Sequence, residues 1–162
     1  MGELARLDAA VAGSGGRAVV VAVHGLGGMG KSTLAARFAE LHADRFSPVW
    51  WVTADSLAAV EAGVADLAVA MAPQAAALSV EQRVELGVRW LAGHDGWLLV
   101  LDNLSTPADA VGVLERVRTG TVVVTSRKAS GWRGVPTVAL DVLSANEAAD
   151  LVNGSAAPIG DI

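Results

Sequence analysis

The residues Gly25-Leu26-Gly27-Gly28-Met29-Gly30-Lys31-Ser32 fit the pattern G-x-x-x-x-G-K-[ST]. Gly25, Gly27, Gly28 and Gly30 allow a loop to wrap so that successive N–H groups point inward, where side chains would block an approaching oxygen. A helix beginning at this point adds the partial positive charge of its N-terminus. Lys31 supplies a mobile ammonium for the outer groups of a phosphate chain, and the short Ser32 hydroxyl suits Mg²⁺. The chemistry read here is the cradling of a polyphosphate.

Such a loop needs a second acid for the metal, placed where a buried strand ends at the same sheet edge. Asp102 closes the apolar run "WLLVLD" and meets that requirement. The next residue, Asn103, stands where a carboxylate general base would serve an attacking water. An amide can position water but takes no proton at neutral pH, so slow hydrolysis is expected. Arg127 follows "TVVVTS". It is either a solvated loop cation or a cation that reads the terminal phosphate.

The elements that must position these residues alternate short β-branched runs with alanine-rich helical stretches, the pattern of an α/β fold whose parallel sheet is covered on both faces. Strands are expected at Arg17 to Val23, Ser47 to Asp55, Gly96 to Asn103, Gly120 to Arg127 and Val135 to Leu143. Helices are expected after the glycine loop, over Leu57 to Met71 and Ser79 to Leu91, from Ser105 or Thr106 as N-cap with Pro107 at the first helical position, and from Ser144. Leu4, Leu7 and Val11 share one face of an N-terminal helix, followed by a flexible Ser/Gly link. The expected division is 1–16 for that helix and link, 17–153 for the phosphate-binding domain and 154–162 for a loop-like tail. His24, beside the loop, reads as structural ahead of a nucleotide contact, the tryptophans at 50, 51, 90 and 97 as packing residues ahead of a ligand platform, and Asp141 and Asp150 as surface charges.

With 162 residues, 52% of them hydrophobic and 18% charged, the chain suits one domain with a single sizeable core. It has no cysteine, which excludes disulfides, thiolate metal sites and a thiol nucleophile, and its three histidines lack ligand spacing. A net charge of -5 without a basic cluster argues against a dedicated nucleic-acid surface. No apolar run approaches the roughly 20 residues of a membrane span. The N-terminal residues lack the basic-then-apolar order of a signal peptide, so a cytoplasmic location is expected.

Together "VVVAVHGLGGMGKSTLA", "VWWVTAD", "WLLVLDNL" and "TVVVTSR" resemble the nucleotide-binding domain of NB-ARC proteins, STAND-class signal-transducing P-loop ATPases, over about Arg17 to Leu151. The style resembles bacterial members, often followed by tetratricopeptide repeats. The resemblance implies a three-layer P-loop NTPase fold with a five-stranded sheet in the order 5-1-4-3-2. It implies ATP or ADP with Mg²⁺ as cofactors, bound by the glycine loop from Gly25 through Met29 to Gly30. Lys31 and Ser32 take the phosphates and metal, Thr33 lies beside the α-phosphate, Asp102 holds the metal and Arg127 is the sensor. It further implies a switch, ADP-bound at rest and ATP-bound and oligomeric when active, within a larger regulator. The family's upstream and downstream adenine segments are not recognisable, so the chain reads as a piece lacking helical, winged-helix and repeat regions. No guanine-reading segment is visible either.

Two other functions compete. A small-molecule P-loop kinase would use an Arg-rich lid, for which Arg118, Arg127, Lys128 and Arg133 are candidates, and would place its metal-acid strand beside the loop strand. An interaction module would hold nucleotide without hydrolysing it.

Overall fold

The computed structural model describes residues 2–14, 16–22, 28–128, 132 and 137–140. The expected last helix from Ser144, the tail from 154 and the charges Asp141 and Asp150 lie outside the described residues. Helix α1 (Glu3–Gly13) leads into β1 (Arg17–Ala22), then α2 (Gly28–Leu41), β2 (Val49–Thr53), α3 (Leu57–Met71), α4 (Val80–Gly93), β3 (Leu98–Leu104), α5 (Ala108–Leu114), β4 (Thr121–Ser126) and β5 (Thr137–Leu140). A 3₁₀ turn at Pro73–Ala77 separates α3 from α4.

All neighbouring strands are parallel, in the order β2-β3-β4-β1-β5. The chain crosses three positions from β1 to β2 with α2 on one face, then steps back through β3 and β4 with α3, α4 and α5 on the other. Opposite directions on opposite faces are what right-handed crossovers require. Strands β3 and β4 are buried on both faces, and alternate residues feed two cores. Leu99, Leu101, Val122 and Val124 pack with Val60, Val64, Leu67 and Leu91 from α3 and α4. Leu98, Val100 and Val123 pack with Leu7, Leu34 and Phe38 from α1 and α2.

Local chemistry sets the ends of the elements. Ser79 and Gln82 form a reciprocal capping box at α4. Helix α5 differs from expectation: it has no side-chain cap, and Pro107 precedes its first residue. The Ser105 hydroxyl donates instead to the Asp55 carbonyl at 2.7 Å, joining the loops after β2 and β3. The Ser14 hydroxyl hydrogen-bonds both backbone groups of Arg17, and the Gly16 N–H donates to the Val11 carbonyl at 2.9 Å. Gly16 adopts φ +107, where a side chain would strike the Gly120 carbonyl.

Of the tryptophans, Trp97 is 1% exposed and its indole N–H donates to the His94 carbonyl at 2.9 Å. Trp50 is half-buried and donates to the Gly63 carbonyl. Trp90 packs on the α3–α4 core and stacks on His94. Trp51, on the uncovered face of edge strand β2, is 39% exposed. No helix among the described residues is long and apolar enough to cross a membrane.

Candidate functional site

Strand parity decides where the polar residues converge. Along β3, Leu98 and Val100 face α1 and α2, so Asp102 falls on that same face. Along β4, Val123 faces α2, so Thr125 and, just past the strand, Arg127 follow it. Thr53 is in register with Asp102 across the β2–β3 pair. Helix α2, which begins beyond the carboxyl end of β1, brings Lys31 and Ser32 to meet them. The resulting cleft of about 470 Å³ is lined by Lys31, Ser32, Thr33, Thr53, Asp102, Asn103, Thr125 and Arg127. It lies outside the carboxyl ends of parallel strands, where ligands bind in open α/β sheets.

At its centre the Ser32 hydroxyl donates to Asp102 Oδ1 at 2.7 Å. The Thr125 hydroxyl donates to the same Oδ1, also at 2.7 Å. Thr125 is fully buried and Asp102 half-buried. A hydroxyl and a carboxylate side by side are hard oxygen donors of the kind Mg²⁺ takes, with its remaining positions left to water and phosphate. No cluster of three or more His, Asp or Glu that could hold a metal alone occurs among the described residues, and a metal shared with a ligand needs none.

Lys31 is 1% exposed, and its Nζ has no hydrogen-bond partner among the described residues. Burial pushes its pKa below the ordinary 10.5, the positive charge of Arg127 pushes the same way, and Asp102 opposes both. A buried ammonium without a hydrogen-bond acceptor is costly. Polyphosphate oxygens would provide the missing acceptors. The donor set and the orphaned amine therefore fit a Mg²⁺–phosphate ligand.

Of the residues expected from sequence, Lys31, Ser32, Thr33, Asp102, Asn103 and Arg127 share this cleft. Gly28, Met29 and Gly30 form the first turn of α2. Gly25, Gly27 and His24 lie outside the described residues, as does Arg133. Lys128 is exposed and does not line the cleft. Sequence reasoning missed Thr53 and Thr125. The visible signal for Thr125 was a hydroxyl near the carboxyl end of an otherwise apolar strand, "TVVVTS".

A family model described as NB-ARC domain matches residues 4–156. A search of curated proteins finds no significant match.

Proposed function

This chain belongs to the NB-ARC domain family, and we propose that it is the nucleotide-binding switch domain of a larger STAND-type regulator, with slow Mg²⁺-dependent ATP hydrolysis. The observation that carries the reading is the buried Lys31 ammonium, without a hydrogen-bond partner among the described residues, beside the Ser32–Asp102 pair. In this reading Lys31 pairs with the outer phosphates, the backbone of the first turn of α2 faces them, and Ser32 and Asp102 hold Mg²⁺. Held by Ser32 and Asp102, Mg²⁺ would supply neutralisation of the phosphate charge. Exposed Arg127, at the rim of the cleft, distinguishes ATP from ADP through the γ-phosphate, and Thr33 lies beside the α-phosphate. Asn103 lines the cleft as an amide, so it orients water without accepting its proton, which keeps turnover slow and the ATP state long-lived. A switch requires different affinities of its two conformations for ATP and ADP. The regions that close over ATP, and any oligomer it forms, belong to the larger protein.

Strand order favours this reading over a small-molecule kinase. The Asp102 strand is not beside β1; β4, which ends next to Arg127, lies between them.

Calorimetric titration with ADP and ATP, with and without Mg²⁺, beside Lys31→Ala, tests the proposal. Binding that is strengthened by Mg²⁺ and lost in the variant is expected. Absence of binding, both here and in a longer chain carrying the regions that follow, would overturn it.

A further inference from the structure

Strand β3 does not end at its acid. The β3–β4 ladder runs Leu98↔Thr121 through Leu101↔Val124 and then resumes at Leu104↔Ser126, so three steps on β3 oppose two on β4. One residue is extra, which defines a β-bulge. Within it Asn103 takes φ 62, the left-handed region that Asn tolerates better than most side chains. The bulge resolves a conflict of parity. In a regular strand Leu104 would project on the same face as Asp102, into the polar cleft. The extra residue turns Leu104 to the opposite face, where it is 1% exposed and packs in the α3–α5 core. Asp102 keeps the cleft face.

A bulge leaves a backbone donor without its ladder partner, and here the Asn103 N–H donates to Thr125 Oγ1 at 2.7 Å. The Thr125 hydroxyl has one proton, which goes to Asp102 Oδ1. A single buried hydroxyl therefore ties the bulged backbone to the carboxylate that the bulge presents.

We infer that Thr125 is a positioning residue, whose hydroxyl, latched to the left-handed bulge at Asn103, aims the Asp102 carboxylate at Ser32 and so sets the affinity for Mg²⁺–nucleotide. This rests on the nucleotide-binding reading above. Thr125 lines the cleft behind Asp102, to which its hydroxyl donates. Its effect passes through Asp102, as groups behind a metal ligand act by fixing that ligand's orientation.

Two measurements on the full chain test it. The first is amide hydrogen exchange at Asn103 without nucleotide. Thr125→Val should speed it by at least about tenfold while the amides of Leu99 to Leu101 stay protected, and Thr125→Ser should restore it. The second is the gain in ADP affinity that Mg²⁺ confers. Thr125→Val should reduce that gain by about tenfold, the lower end of what loss of a supporting partner costs, and Thr125→Ser should recover it. Asp102→Ala should remove it altogether. Should Thr125→Val fail to fold, Asn103→Val tests the same latch from the other side, since a β-branched residue resists φ 62.

Unchanged exchange at Asn103 in the valine variant would overturn the latch. A full Mg²⁺ response in that variant, with none in Asp102→Ala, would overturn the positioning role alone. A full response in Asp102→Ala would overturn the metal assignment and this inference with it. If ADP binds neither this chain nor a longer one, the nucleotide reading and the Mg²⁺ half of the inference fall together, and exchange still decides the latch.

Discussion

Ser32 and Asp102 are 70 residues apart in the chain and 2.7 Å apart in space, hydroxyl to carboxylate, across the junction of α2 and β3. That contact is where the helix after the glycine loop meets the sheet. It rests on parity: Asp102 has the same orientation as Leu98 and Val100, which pack against Phe38 and Leu34 of α2. The packing that stabilises the helix is thus the packing that brings the two oxygen donors together.

Ser32→Ala should therefore separate two effects. Loss of one partly exposed hydrogen bond to a carboxylate costs about 1 kcal/mol in folding, read from urea unfolding. Loss of a metal donor should cut the Mg²⁺-dependent gain in ADP affinity by about tenfold or more, read by calorimetry. A variant that keeps the full gain would remove Ser32 from the metal's ligands.

Lys31 makes the opposite trade. Its ammonium is buried without a hydrogen-bond acceptor among the described residues, so Lys31→Met, which keeps the aliphatic length, should raise the stability of the nucleotide-free protein by about 1 to 3 kcal/mol. The same change should abolish detectable ADP binding. Thermal unfolding with and without ADP checks both: a higher midpoint without ligand and no further rise with it. A lower midpoint would mean that the amine stabilises the fold.

The convergence of Lys31, Ser32 and the terminal Asp102 on one cleft was legible because motif spacing and a long apolar run locate them without tertiary information. Strand order was legible only through family resemblance, since periodicity contains no information on which strands pair. The bulge at Asn103 was not legible. An apolar run ending in Asp-Asn looks finished, and Leu104 reads as the first residue of a loop unless its burial on the opposite face is known. Thr125 was hidden for a related reason: a threonine in a β-branched strand satisfies strand propensity and gives no sign that its hydroxyl is shared. Ser14 and Gly16 read by composition as link residues, and the sequence gives no sign that Ser14 accepts from the Arg17 N–H or that Gly16 takes φ +107.

Gly120 and Trp97 give a prediction about the fold alone. Gly120 has φ +65, and a Cβ there would overlap the Trp97 indole, which is 1% exposed. Gly120→Ala combines an unfavourable backbone region with overpacking, each typically worth about 1 kcal/mol or more. Urea unfolding should show a loss of about 2 to 4 kcal/mol. The residue immediately precedes β4, at the end of the sheet remote from the cleft, so ADP affinity of the folded fraction should be unchanged.

The pH dependence of stability gives a separate reading of Lys31. Burial, followed by the charge of Arg127, lowers its folded-state pKa below the ordinary 10.5 despite the opposing effect of Asp102. Between the lowered value and 10.5 the unfolded chain binds more protons than the folded one, so this group's contribution to stability becomes more favourable as pH rises through that window. Below the lowered value the full penalty of the buried charge is present. The chain has no tyrosine, no cysteine and only two lysines, Lys31 and Lys128, so few other groups titrate in that range. Unfolding free energies of the wild type and Lys31→Met, followed from neutral pH towards 10.5, should show the variant's advantage shrinking as pH rises. Phosphate oxygens around the amine favour its protonated form, so ADP binding within the window should take up protons. Calorimetry in buffers of different ionisation enthalpy measures that uptake. A constant advantage for Lys31→Met across the range, with no proton uptake on binding, would mean that the Lys31 amine is hydrated rather than buried.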